Sequence, residues 1–100
     1  MELRHLRYFI AVAEQLSVRA ASEILHVTQP AVSRQIRDLE ETIGAALFTR
    51  TARGLVLTAA GTAYLAEARD ILARVESANR TARRLASGVT GRLRIGFVEN

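Results

Sequence analysis

Gln29, Ser33 and Arg34 recur at a spacing that places all three side chains on one side of a helix. Amide, hydroxyl and guanidinium groups supply hydrogen-bond donors and acceptors that suit base edges and phosphate oxygens. Thr28 precedes them as a candidate N-cap, and a positive helix N-terminus adds a weak attraction for phosphate. The segment predicts a surface that binds nucleic acid, with a solvated amphipathic helix as the alternative.

The element that carries these residues is a helix predicted between an N-cap at Thr28 and a closing glycine at Gly44. Pro30 falls in its first turn, where a missing N–H costs nothing. Arg37 shares the outer face, nearer the phosphate backbone or in solvent. The opposite face is an apolar stripe for a core: Val32, Ile36, Leu39 and Ile43.

Two shorter helices precede this one. Helical periodicity predicts the first over residues 3–15, and Ser17 can cap the second over residues 18–25. Only a short turn then separates the second helix from the third. This is the helix-turn-helix arrangement, in which the later helix enters the DNA major groove.

A two-stranded wing is predicted after Gly44. Residues 47–50 and 55–58 are short runs with strand character, and the TARG segment between them holds a turn glycine. Arg50 and Arg53 could meet a phosphate backbone or a minor groove. The alternative is a pair of solvated loop arginines.

A long helix is predicted over residues 59–87, which at 1.5 Å per residue is roughly 40 Å. So long a helix needs something to pack on, and a second copy of the chain is the simplest partner. The alternative is a helix that lies along its own domain. Its apolar stripe predicts a dimer interface at Leu65, Ala68, Ile71, Leu72, Val75, Ala78 and Ala82.

The chain of 100 residues is expected to hold three parts: a winged domain at 1–58, the dimerisation helix at 59–87 and a last segment at 88–100. Residues 87–91 have the composition of a short linker. The following RLRIGFV run alternates as a strand does, and it predicts the start of another domain.

Composition favours an acidic partner and argues against catalysis. The net charge is +4, and all fourteen basic residues are arginine. No cysteine is present, the two histidines lie on different predicted elements, and no HExxH spacing occurs. We therefore expect no catalytic residue, no metal site and no cofactor. The N-terminus lacks a signal-peptide pattern and no run approaches 18 apolar residues, so no membrane contact and a cytoplasmic location are expected.

One further alternative is a protein-interaction module. In it the long helix dimerises while the third helix binds an acidic protein instead of DNA. The two possibilities differ in the salt dependence of binding to random duplex DNA.

The order and spacing of these elements resemble the N-terminal region of LysR-type transcriptional regulators. The similar segments are LRHLRYFIAVAE, SVRAASEILHVTQPAVSRQIRDLEETIG, LFTRTARGLVLTAAG and GRLRIG, which together span residues 1 to about 98 without a gap. The run AASEILHVTQPAVSRQIRDLE is far more specific than a generic helix-turn-helix pattern.

The resemblance implies a mainly α, winged helix-turn-helix fold that dimerises through the long helix and binds interrupted palindromes in operator DNA. It implies major-groove contacts by Gln29, Pro30, Ala31, Ser33 and Arg34, where Ala31 replaces a proline common in the family. It also implies backbone or minor-groove contacts by Ser17, Thr28, Arg37, Arg50 and Arg53.

The same resemblance implies a small-molecule inducer that binds a C-terminal domain beyond this chain. It is compatible with tetramers of the full-length protein and with contacts to RNA polymerase.

Overall fold

Four helices and one β-hairpin make up the part of the chain that this computed structural model describes, residues 1–90. Residues 1–70 form one compact unit, and residues 71–100 belong to a second. The elements confirm a winged helix-turn-helix fold followed by a long helix. In order they are α1 (Leu3–Gln15), α2 (Val18–Leu25), α3 (Gln29–Ile43), β1 (Phe48–Thr51), β2 (Gly54–Leu57) and α4 (Ala59–Thr90).

Hydroxyl side chains begin three of the helices. The Ser17 Oγ accepts a hydrogen bond from the Ala20 N–H at 3.0 Å, before α2. The Thr28 Oγ1 accepts from the Ala31 N–H at 3.3 Å, before α3. The Thr58 Oγ1 does the same for the Gly61 N–H at 2.9 Å, before α4. These bonds satisfy amide groups that have no partner inside the helix, and they fix where each helix begins.

The turn between α2 and α3 is made without glycine. His26 ends α2 in the left-handed region, at φ 60°, and both its own N–H and the Val27 N–H donate to the Ser22 carbonyl. Histidine is among the non-glycine residue types that most often adopt a positive φ. The chain therefore reverses within three residues, and α3 is held against α2.

The core of the first unit lies where α1 packs against α2 and α3. Phe9 of α1 is fully buried, and its ring centroid lies 5.4 Å from those of Phe48 and Tyr64. Phe48 opens the wing and Tyr64 belongs to α4, so one aromatic cluster joins three parts of the unit. Burial raises the pKa of the Tyr64 phenol above its usual value.

The wing is an antiparallel pair in which Phe48 faces Leu57 and Arg50 faces Leu55. The strands lie one residue away from their predicted positions. The Leu47 side chain is buried and its N–H bonds Glu40, while Thr58 caps α4. Leu47 and Thr58 therefore lie just outside the two strands, which pair from Phe48 to Thr51 and from Gly54 to Leu57.

The first turns of α4 pack on the core of their own unit. Ala68 has no exposed surface in the single chain, and the Arg69 guanidinium pairs with the Glu14 carboxylate of α1 at 2.9 Å. Ala68 is therefore already buried by its own unit, and its predicted place in the dimer interface stays a prediction. The apolar stripe identified from the sequence therefore serves the chain's own core at this position.

In the second unit, α4 continues to Thr90, so the linker predicted over residues 87–91 is helical as far as its fourth residue. A single glycine costs a helix only about 1 kcal/mol and does not by itself end it. Among the other predicted dimer residues, Leu65 of the first unit and Leu72 and Val75 of the second are half-buried, whereas Ile71, Ala78 and Ala82 are exposed. The predicted strand within 92–98 lies outside the described residues.

Candidate nucleic-acid interface

The outer face of α3 presents its polar side chains to solvent. Gln29, Pro30 and Arg34 are exposed, whereas Ala31 and Ser33 are half-buried. On the opposite face, Val32 and Leu39 are fully buried and Ile36 nearly so. The first two turns therefore hold donors and acceptors outward on a helix whose other side is fixed in the core.

Four arginines lie on α3 and the wing without an intramolecular counter-ion. Among the described residues, no ion pair involves Arg34, Arg37, Arg50 or Arg53, whereas Arg4, Arg19, Arg69 and Arg80 each pair with a glutamate. All four side chains are exposed. Their charges are therefore available to an external anion.

A groove of about 290 Å³ brings residues of α2, α3 and the wing together. Gln29, Arg50 and Ser17 all line it, which joins three of the predicted site residues across separate elements. Arg19, in the first turn of α2, lines it too. The groove thus combines two guanidinium groups with a hydroxyl and an amide, a set that suits phosphate oxygens.

A second groove, of about 190 Å³, lies between α3 and the wing. Ser33 and Arg37 line it together with the apolar side chains of Val12, Ile36 and Leu55. Ser33 is therefore partly withdrawn from the surface that Gln29 and Arg34 occupy. Its hydroxyl can reach only a group that enters close to the helix.

The wing tip is shaped by its own hydrogen bonds. The Thr51 hydroxyl donates to the Gly54 carbonyl at 3.3 Å and accepts from the Arg53 N–H at 3.1 Å. Gly54 adopts φ 112°, which favours glycine. The side chain of Arg53 is consequently carried at the tip of a defined turn.

Two residues of this surface do not stand out in the sequence. Arg19 lies in the groove beside Gln29 and Arg50, and its ion pair with Glu23 is exposed and long, at 3.7 Å. Such pairs contribute little, so Arg19 can turn to another anion. The sequence signal for Arg19 is its position two residues after the N-cap Ser17, in the first turn of a helix. Glu40, the second residue, binds the start of the wing through its carboxylate.

Within residues 1–90, no three His, Cys, Asp or Glu side chains gather closely enough to hold a metal ion. In the same part of the chain, no helix has the length and apolar character needed to span a bilayer.

A family model described as "Bacterial regulatory helix-turn-helix protein, lysR family" matches residues 3–62, from the first turn of α1 to the first turn of α4. The chain belongs to the LysR family. The matched range contains the helix-turn-helix, the wing and both grooves, so these features are those of a LysR-family helix-turn-helix domain.

Relatives within the family extend the match along the chain. The uncharacterized HTH-type transcriptional regulator YnfL of Escherichia coli is 51% identical over 100 residues, which are all of this chain and 34% of YnfL. The regulator BudR of Klebsiella aerogenes is 45% identical over 100 residues and is covered to 70% of its length. The chain spans about a third of most of the curated relatives it matches, such as ClcR of Pseudomonas putida, covered to 33%.

Solved structures show the same fold. The crystal structure of the CbnR DBD in complex with DNA aligns with a TM-score of 0.82 at 46% identity, and covers 86% of this chain and 99% of that one. The BenM DBD in complex with catB site 1 DNA aligns with a TM-score of 0.83 at 41% identity, and covers 87% and 98%. Nearly the whole of each of these solved domains thus matches the fold of this chain.

Proposed function

We propose that this chain is the DNA-binding part of a LysR-type transcriptional regulator, and that it binds double-stranded DNA sequence-specifically as a dimer. The observation that carries the proposal is the single surface formed by the first turns of α3, the first turn of α2 and the wing. Within the described residues, α3 and the wing together hold four arginines without counter-ions. Similar domains of CbnR and BenM have been crystallised with DNA, which supports the same activity here.

Roles on the duplex follow from exposure and side-chain chemistry. Gln29 and Arg34 reach base edges in the major groove, with Pro30, Ala31 and Ser33 making closer contacts beside them. The phosphate backbone is contacted by Ser17, Thr28, Arg37 and Arg50, and these contacts hold the domain in place on the duplex. Arg53 reaches the minor groove. Ser17 and Thr28 already accept an N–H in their capping bonds, and each hydroxyl still has its own hydrogen to donate to a phosphate.

The proposed architecture has a winged domain at 1–58 and a dimerisation helix from residue 59 to residue 90, followed by a hinge and the first strand of an effector domain. Symmetric dimers bind two half-sites, which fits interrupted palindromes at promoters. In the full-length regulator, a small-molecule inducer would bind a C-terminal domain. The full-length protein would form tetramers and contact RNA polymerase. We propose a cytoplasmic regulator without catalytic activity.

The test is a titration of random duplex DNA with this chain at salt concentrations between about 50 and 200 mM. Arginine–phosphate contacts release counterions, so affinity should fall steeply as a power of salt concentration. Failure to bind duplex at low salt would refute DNA binding and would favour an acidic protein partner. Turnover of a small substrate would refute the absence of catalysis.

A further inference from the structure

Glu40, in the last turns of α3, binds the segment that leads into the wing. Its Oε2 accepts hydrogen bonds from the Leu47 N–H at 2.7 Å and the Phe48 N–H at 3.3 Å. Its main-chain carbonyl accepts from the Gly44 N–H at 2.8 Å and from the Ala45 N–H at 3.3 Å. One residue of α3 therefore holds both the beginning and the end of the connection to β1.

The same connection is fixed from its other side by Thr58. The Thr58 hydroxyl donates to the Ala46 carbonyl at 2.7 Å, and the Thr58 N–H donates to the Leu47 carbonyl at 3.0 Å. Leu47 is thus bonded through its N–H to α3 and through its carbonyl to the residue that caps α4. Its backbone has little freedom to shift along the strand direction.

The position of Leu47 decides where the wing arginines lie. Side chains alternate along a strand, so a shift of one residue would move each of them to the other face. Phe48 packs its ring at 5.4 Å from the ring of Phe9, and Arg50 follows two residues later on the exposed part of β1. The carboxylate of Glu40 is therefore bonded to the segment that sets the register of Arg50 and the reach of Arg53.

A negative charge on a helix that binds DNA would weaken phosphate binding, so the carboxylate of Glu40 calls for a structural explanation. Glu40 lines the groove between α3 and the wing together with Arg37 and Ser33. Hydrogen bonds to a charged acceptor are roughly twice as strong as neutral ones, which makes a carboxylate a firm attachment for two amide groups. This attachment explains why a carboxylate stands there.

We infer that Glu40 is a positioning residue for DNA recognition. It fixes the distance between the wing arginines and the base-reading turns of α3, so that both can contact the same duplex. The inference rests on the proposed function. Glu40 itself touches no DNA and acts through Arg50 and Arg53.

The test is a double-mutant cycle on a duplex that the wild-type chain binds. Arg53→Ala should weaken binding by about tenfold and lower the salt slope by about 1, since the positive charge that Arg53 brings to the minor groove is lost. Glu40→Ala should cause a similar loss. Glu40→Ala/Arg53→Ala should bind no more weakly than the weaker single variant, because the wing is already displaced when Glu40 is absent.

Glu41→Ala is the matched control. Glu41 is the adjacent, exposed carboxylate of the same helix, so its removal changes the charge equally without detaching the wing. It should bind as tightly as wild type or slightly tighter. Glu40→Gln keeps an acceptor oxygen and should recover part of the affinity. If thermal denaturation shows that Glu40→Ala does not fold, Glu40→Gln replaces it in the double-mutant cycle.

Losses that multiply, near a hundredfold for the double variant, would overturn the coupling. An equal loss in Glu41→Ala would overturn it as well, because the loss would then not depend on the hydrogen bonds that Glu40 makes to Leu47 and Phe48. A wild-type chain that binds no duplex would instead refute the proposed function, so the two failures are distinct.

Discussion

Arg34 and Arg50 have similar exposure but different neighbours, and the difference assigns them different roles. Arg34 projects from the second turn of α3, beside Gln29 and Pro30. Arg50 lies on β1, in the groove with Ser17 and Arg19. A guanidinium on the first turns of a groove-entering helix can form two bonds with a guanine edge, whereas one on a wing meets the sequence-independent backbone.

Substitution at these two positions should separate base contacts from phosphate contacts. Arg34→Ala should lose about 1 to 3 kcal/mol of discrimination between a cognate and a scrambled duplex. Arg50→Ala should weaken both duplexes alike and lower the salt slope by about 1. The measurement is fluorescence anisotropy on both duplexes across a salt series.

Lysine variants provide the control, since lysine keeps the charge and loses the planar fork. Arg34→Lys should lose discrimination almost as fully as Arg34→Ala, whereas Arg50→Lys should stay close to wild type. Equal weakening of both duplexes by Arg34→Ala would contradict its base-reading role.

Residue-level prediction from the sequence worked where a local pattern was enough. Gln29, Arg34 and Arg37 on the outer face of α3 are exposed as expected, because the apolar stripe determines which side of the helix is buried. The hydrogen bond between the Glu40 carboxylate and the Leu47 N–H is not predictable from a local pattern, because it joins residues seven positions apart across a loop. The burial of Ala68 within its own unit is not predictable from the sequence, because an apolar stripe looks the same whether it packs on its own domain or on a partner.

At the scale of elements, capping chemistry makes the helices predictable and packing decides the rest. Ser17 and Thr28 bond the amide groups that their positions predicted, and α1, α2 and α3 have their expected bounds. The strand bounds differ from the predicted ones by one residue, because Leu47 and Thr58 form hydrogen bonds with residues distant in sequence that a strand pattern does not reveal. The helix α4 extends to Thr90, beyond its predicted end, because the linker-like composition of residues 87–91 does not by itself stop a helix.

At Gly61 the helix α4 lies very close to the connection that leads into the wing. A Cβ added there would overlap the Leu47 carbonyl oxygen and lie 2.9 Å from the Leu57 Cδ2. Gly61→Ala should therefore lower the free energy of unfolding by about 1 to 3 kcal/mol, as overpacking does. This loss should appear although alanine favours a helix by about 1 kcal/mol over glycine.

Thermal or urea denaturation followed by circular dichroism measures the effect. Ala60→Val is a suitable control, because Ala60 is the exposed neighbour in the same turn and valine should cost only helix propensity, up to about 0.7 kcal/mol. A Gly61→Ala variant as stable as wild type would show that the close contact is not maintained in solution.

At the scale of the whole molecule, net charge is a poor guide to where DNA would bind. Residues 1–70 contain eight Arg and eight Asp or Glu, so this unit is formally neutral and the +4 of the chain arises from residues 71–100. What favours DNA in the first unit is distribution: Arg34, Arg37, Arg50 and Arg53 have no intramolecular carboxylate partner among the described residues. Binding should therefore depend on the arrangement of charge rather than its total.

Dimerisation through the second unit should depend on the apolar side of α4. Leu72→Asp or Val75→Asp should produce monomers in sedimentation experiments and weaken operator binding, because a monomer holds one half-site. Ala73→Asp adds the same charge at an exposed position on the opposite side of the helix and should remain dimeric. An unchanged dimer in both interface variants would place the interface elsewhere.

Selection of bound duplexes from a random pool is the most direct test of sequence-specific DNA binding by this chain. We predict strong enrichment of a short sequence that occurs twice in inverted orientation, with half-sites one or more helical turns apart, about 34 to 36 Å per turn. The same selection with Arg34→Ala should give a blurred base preference at one position in each half-site. A bound pool with the same sequence composition as the starting pool would contradict sequence-specific binding.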